Sequence, residues 1–230
     1  AKRVFQDKQI IKFGCADPEA VIFYTLDGSE PNRDSSARYS KPLVLTETTK
    51  IRFMAVRGDR SSVVDEAEFF KLRSDLRVLR LGTKYSNQYT GGGDQALVDL
   101  MPGGADFRSG RWQGYEGANL DAVLDLGSKK PVRRVLANFL QDENAWIFYP
   151  TKLSVEVSDD GKTFRSAGEV LNDVPHTATG TLQKKFAVEF PEGISARYVR
   201  LVGHSLIKCP EGHKGAGGLC WIFADEVYVE

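Results

Sequence analysis

The chain lacks net charge: 31 Lys and Arg are matched by 31 Asp and Glu across 230 residues. Proteins that gain affinity by releasing counterions from phosphates carry a basic excess or stripe, so neither non-specific nucleic-acid binding nor attachment to an anionic membrane is expected. The longest basic cluster, around Lys129 and Arg134, is broken by Pro131 and Val132. Long apolar runs are missing as well. None approaches the roughly 18 residues needed to span a bilayer, and neither end carries a lipidation signal. The start, Ala-Lys-Arg, has no signal-peptide stretch behind it, as in a mature or excised chain, which leaves the compartment open.

Cysteine is scarce. Cys15, Cys209 and Cys220 are too few for a disulfide-built scaffold and lack the CxxC spacing of structural zinc. Two readings stay open: a Cys209–Cys220 bridge closing an 11-residue loop in an oxidising compartment, or three free thiols. Catalytic signatures are also absent. His176, His204 and His213 lie far apart in sequence, with no GxSxG elbow or HExxH pair. The GGGDQ run from Gly91 lacks the Lys and the Ser or Thr of a phosphate loop. Acids such as Asp142, Glu143, Asp159, Asp160 and Asp173 sit in turn-like segments, where solvated carboxylates are ordinary. The chain itself is therefore not expected to be an enzyme.

What is present is strand periodicity. Phe186, Val188 and Phe190 alternate with polar residues, and Leu153, Val155 and Val157 alternate with Ser154, Glu156 and Ser158. Gly, Asp and Pro turns separate such runs, and no helical stripe of convincing length occurs, which points to β-sandwiches. Short strands are expected at residues 21–24, 43–45, 50–56 and 63–72. The charged stretch 71–80 then marks a boundary, giving a small domain over 1–75 and a larger one over 76–230.

The stretch VIFYTLDGSEPNRDSSARYSKPLVLTETTKIRFMAV, and YTLDGSEP in particular, resembles the immunoglobulin-like module at the carboxy-terminal side of chitobiases and other β-hexosaminidases. Asp27, Gly28, Glu30 and Pro31 read as turn-builders there. The larger domain resembles the discoidin or coagulation factor 5/8 type C domains, and among them the family 32 carbohydrate-binding modules of bacterial glycosidases. Five segments carry this in order: KYSNQYTGGGDQALVDL, RWQGYEGANLDAVLDLG, FYPTKLSVEVSDDGKTF, ARYVRLVG and WIFADEVYVE. The implied fold is all-β, a small Ig-like sandwich followed by a galactose-binding-like jelly roll. Trp112 is expected to plug one end of the core. Arg197 and Arg200 have two readings, bracing the sandwich or touching sugar.

The resemblance further implies a structural calcium ion. Asp99, Ser109 and Glu226 match its side-chain ligands, with carbonyls near Gln95, Gly104 and Ala224 as further candidates, an oxygen-only set suited to a hard cation. Leu100 departs from the family by standing where a glycine follows the aspartate, and Met101 and Pro102 come next. The alternative, Asp99 capping a turn and Glu226 facing solvent, stays open.

Sugar recognition needs an exposed ring and a few polar groups. The candidates are Trp146, Trp221, Tyr89, His213, His204 and Asn144, with Tyr85, Gln141 and Lys214 nearby; Trp146 and Trp221 have a purely structural reading too. The expected role is a non-catalytic accessory region of a secreted, periplasmic or outer-surface bacterial glycoside hydrolase of the β-hexosaminidase kind. It would bind a galactose- or N-acetylhexosamine-type sugar and neighbour the parent's catalytic domain. The rival readings are a purely structural region packed on that domain and a protein or cell-surface adhesion module.

Overall fold

A computed structural model describes residues 4–5, 8–71 and 76–230, with backbone alone at 4 and 70. The chain divides into two compact units, Ala1–Leu72 and Arg73–Glu230. The expected boundary at residue 75 falls in 72–75, outside the described residues. All regular elements described are strands apart from two three-residue 3-10 turns, Ala96–Val98 and Glu143–Ala145. The all-β expectation is met, and the absence of a helical stripe in the sequence is its cause.

In the first unit the strands are β1 (Val4–Phe5), β2 (Gln9–Ile11), β3 (Val21–Thr25), β4 (Ala37–Arg38), β5 (Leu43–Leu45), β6 (Thr49–Arg57), β7 (Arg60–Ser61) and β8 (Asp65–Lys71). One sheet runs β1-β8-β6-β3-β4 with β7 on β6, and β2 pairs with β5 apart from it. Alternation along β6 sends Ile51 inward, where it meets Phe5, Ile11, Leu45 and Phe69. The YTLDGSEP turn is structural, as its residues suggest. Gly28 takes a positive φ of 79°, and the Asp27 carboxylate accepts from the Ser29 amide at 3.0 Å and the Ser29 hydroxyl at 2.6 Å. Glu30 pairs with Arg52.

The second unit is built from β9 (Arg77–Leu81), β10 (Gln113–Glu116), β11 (Leu120–Asp142), β12 (Lys152–Ser158), β13 (Arg165–Leu171), β14 (Thr181–His204) and β15 (Trp221–Val229). The long antiparallel pair β11–β14 serves both layers. Leu120–Asp125 pairs with 198–203 and with β9, whereas 134–142 pairs with 181–189 and with β15. Irregular register at 125–130 and 132–134 bends the ribbon between the layers. β12 and β13 extend the first layer and β10 the second. The core between them holds Leu120, Ala122, Leu124, Leu153, Val155, Val157, Phe186, Val188 and Phe190, the residues whose alternation marks the strands in sequence.

Trp112 is fully buried in a second cluster with Phe107, Leu140, Ile147 and Phe223, and its indole N–H donates to the Gly104 carbonyl at 3.2 Å. Both arginines of the ARYVR strand are braces. Arg200 grips Asp121 with two bonds of 2.9 and 2.8 Å and reaches Glu156 at 3.0 Å. Arg197 and Arg77 converge on Asp125, at 3.1 and 2.7 Å.

Asp125 is 1% exposed. Burial alone would raise its pKa, but Arg197, Arg77 and the Gly127 amide outweigh that and hold it at about 2, below the ordinary 3.8. A depressed folded-state value stabilises above the unfolded value and ceases to do so as pH falls through the folded one. Denaturant titration is therefore expected to show wild type losing stability relative to Asp125→Asn as pH is lowered from about 5 to about 2; a gap that does not change with pH would refute this role.

Candidate functional site

Three connections of the second unit meet at one end: β11 to β12, β13 to β14 and β14 to β15. The first is a tight reversal, closed by paired bonds of 3.0 Å each way between Asp142 and Ile147. Its last residue, Trp146, has φ 65°, a left-handed conformation that bulky side chains avoid. Such a residue costs of order 1–3 kcal/mol and persists only where its surroundings over-determine it.

The surroundings are specific. The indole lies on Gly215 and Gly218 of the long β14–β15 connection, so close that a Cβ on Gly215 would sit 2.7 Å from ring atoms. Trp221 N–H donates to the Trp146 carbonyl at 2.9 Å, tying the reversal to β15. His213 stands edge-on to both Trp146 and Phe148, with centroids 6.2 and 5.4 Å away. Trp146 is nevertheless 37% exposed. It forms an aromatic platform backed by glycines and only partly covered.

Its neighbour His213 also lines a cleft of about 290 Å³. Glu143 and Asn144 line it from the first connection, His176 and Thr177 from the second, and Glu211 to Lys214 from the third. The Glu143 carboxylate accepts from the Asn144 amide at 2.8 Å and from Gly180 N–H at 3.2 Å, and the Lys214 ammonium donates to Asn144 at 3.2 Å. His213 is held by backbone at both ring nitrogens: Nε2 lies 2.8 Å from the Glu143 carbonyl, and Gly215 N–H donates to Nδ1 at 3.1 Å.

Of the six sugar-site candidates, Trp146, Asn144 and His213 are brought together. Trp221 joins them through its backbone, but its ring packs edge-on against Tyr89 at 5.3 Å. Tyr89 also meets Phe223 at 4.7 Å, within the cluster around Trp112. His204 sits on β14 with Nε2 2.9 Å from the Ser154 hydroxyl, and burial lowers its pKa. His176, Thr177 and Glu211 were not singled out as contacts. Their only sequence signal is a polar Pro- or Gly-containing segment, and His176 lies 32 residues from Asn144 and 35 from Glu211. Cys209 and Cys220 are buried free thiols, with Phe148 beneath the platform.

The calcium candidates lie elsewhere, where Ala96–Val98 packs on β15. Glu226 is fully buried, so it does not face solvent, and among the described residues neither of its carboxylate oxygens has a hydrogen-bond partner. Burial first, and then the neighbouring carboxylate of Asp99, push its pKa up to about 9. Asp99 does cap a turn, accepting from Met101 N–H at 2.8 Å. Leu100 takes φ 70°, a left-handed conformation that favours glycine. Ser109 donates to the Gly103 carbonyl at 2.9 Å. The Gln95 and Gly104 carbonyls accept from Val98 N–H and the Trp112 indole, and Ala224 sits within the β10–β15–β11 ladder. Among the described residues no three His, Cys, Asp or Glu side chains form a metal-holding group. An orphaned buried carboxylate facing a second one nonetheless fits a hard cation completed by carbonyl, hydroxyl or water oxygens.

Two families match the chain: the chitobiase/β-hexosaminidase C-terminal domain over residues 2–65 and the F5/8 type C domain over residues 82–220. Solved structures similar to it include the module CpGH89CBM32-5 from Clostridium perfringens in complex with GalNAc-β-1,3-galactose. That module is 18% identical, the match covers 68% of this chain and 96% of the module, and the TM-score is 0.44. The C-terminal domain of a chitobiase from Bacteroides fragilis is 17% identical over 69% of this chain and 94% of its own, with a TM-score of 0.40. A family 32 module of C. perfringens in complex with galactose is 15% identical over 68% and 94%, with a TM-score of 0.41. No curated protein matches the chain.

Gly215→Ala is expected to displace the indole, because its Cβ would overlap the ring, at a cost of about 1–3 kcal/mol for overpacking. Acrylamide quenching of tryptophan emission should rise in the variant; unchanged quenching at unchanged stability would show that the glycine does not back the platform.

Proposed function

Because the chain belongs to the F5/8 type C domain family, we propose that it is a non-catalytic carbohydrate-binding accessory region of a secreted bacterial glycoside hydrolase. Its ligand would be a galactose- or N-acetylhexosamine-type sugar. The observation that carries this reading is Trp146: a partly exposed residue, held in a costly backbone conformation, whose neighbours Asn144 and His213 line a cleft. Binding sites recruit strained residues for this kind of duty. The apolar face of a pyranose would lie on the indole, and Asn144, His176, Thr177, Glu211 and Lys214 would meet its hydroxyl or acetamido groups. Trp221 and Tyr89 would buttress from behind. Neutral sugars also suit a chain of zero net charge.

Asp99 and Glu226 would hold a structural calcium ion that neutralises their like charges and pins the segment after β9 to β15, with no part in chemistry. For the first unit we propose a supporting role against a neighbouring catalytic domain. Ile10 and Val44, directly paired on β2 and β5, are 52% and 58% exposed and offer an apolar contact.

Calorimetry against galactosides and N-acetylhexosaminides is expected to detect binding that Trp146→Ala lowers at least tenfold. Silence across both classes with unmoved tryptophan fluorescence would overturn the reading in favour of a structural region. Calcium is expected to raise the melting temperature of wild type, an effect lost on chelation and in Glu226→Gln; a melting temperature indifferent to calcium and chelator would remove the cation from the account.

A further inference from the structure

The roles of the two backbone groups on His213 are fixed. A peptide N–H can only donate and a carbonyl can only accept. Gly215 N–H at 3.1 Å therefore requires Nδ1 to be bare, and the Glu143 carbonyl at 2.8 Å requires Nε2 to carry the proton. The ring is thus locked as one neutral tautomer. It joins the segment before Trp146, through Glu143, to the segment behind it, through Gly215, and its edge-on contacts to Trp146 and Phe148 fill the space between. With both nitrogens engaged inside the protein, it has no polar atom left for a ligand.

We propose that His213 is a positioning residue, a latch that holds the Trp146 platform only while its ring is neutral, so that acidification loosens the platform. A proton on Nδ1 would set N–H against the Gly215 N–H and break that bond. Histidine alone among ordinary side chains changes charge between about pH 5 and pH 8. Among the described residues, the charged and titratable groups that line the cleft with it are Glu143 and His176 on the facing connections and Glu211 and Lys214 on its own. His176 is the other histidine lining this cleft, so it is the control. The consequence for sugar binding, weaker binding at acid pH, rests on the function proposed above. The latch itself does not.

The test is heteronuclear NMR of the whole chain without sugar, following the ring nitrogens of His213 and the indole N–H of Trp146, which is assigned with Trp146→Phe. At about pH 8 the Nε2–H tautomer of His213 is expected. Between about pH 8 and pH 5 the Trp146 signal should shift or broaden in wild type and in His176→Asn, but stay constant in His213→Gln. The buried Trp112 indole should not move and reports whether each variant folds. An Nδ1–H tautomer, a Trp146 signal constant in wild type, or the same transition in His213→Gln would each overturn the proposal. If His213→Gln fails to fold, the wild-type tautomer and titration decide alone. A chain that shows the transition yet binds no sugar at either pH would refute the functional reading and leave the latch intact.

Discussion

Pairing between β11 and β14 is the constraint on which the second unit depends. These two strands, 23 and 24 residues long, run through both layers, and every other strand of the unit hangs on one of them directly or through a neighbour. Their bends divide one ribbon into two facing sheets, so the core is enclosed by strands that never leave each other. The arginine braces follow from the same geometry. Asp121 and Asp125 on β11 lie across the ribbon from Arg200 and Arg197 on β14, and Arg77 on β9 comes to Asp125 from the other side.

The ends of that ribbon decide where the candidate site sits. β11 runs out at Asp142 into the reversal that carries Trp146, β14 begins just after the loop of His176 and Thr177, and β15 starts at the exit of the glycine-rich connection. Three loops distant in sequence are thereby brought to one end of a rigid scaffold. Backbone strain at Trp146 is tolerated because glycines behind the ring, a ladder bond from Trp221 and a histidine bonded on both sides hold it there. Among the described residues, the first unit has no non-glycine residue at positive φ. Its polar YTLDGSEP loop is satisfied by its own hydrogen bonds.

Much of this was legible in the sequence. Alternation at Phe186-Val188-Phe190 and Leu153-Val155-Val157 marks core strands because one face of each strand must be buried, and the expected strand Leu43–Leu45 is found at those bounds. Trp146, Asn144 and His213 were recognisable as a loop ring with polar neighbours. Their convergence was not, because it depends on where β11, β14 and β15 end. His213 was expected to touch a ligand, and a polar loop gives no sign that two backbone groups would consume its nitrogens. Leu100 adopts a left-handed conformation that favours glycine, which its residue type does not announce. His176 and Thr177 had no distinguishing signal, since a short polar loop looks alike whether or not it borders a cleft.

The central claim is that a sugar lies on Trp146 across the three converging loops. Mapping backbone amide shifts while a galactoside or N-acetylhexosaminide is titrated tests it most directly. The account predicts perturbations confined to residues 143–146, 176–177 and 211–215. Perturbations centred on the Asp121–Arg200 pair or on the first unit's YTLDGSEP loop would contradict it.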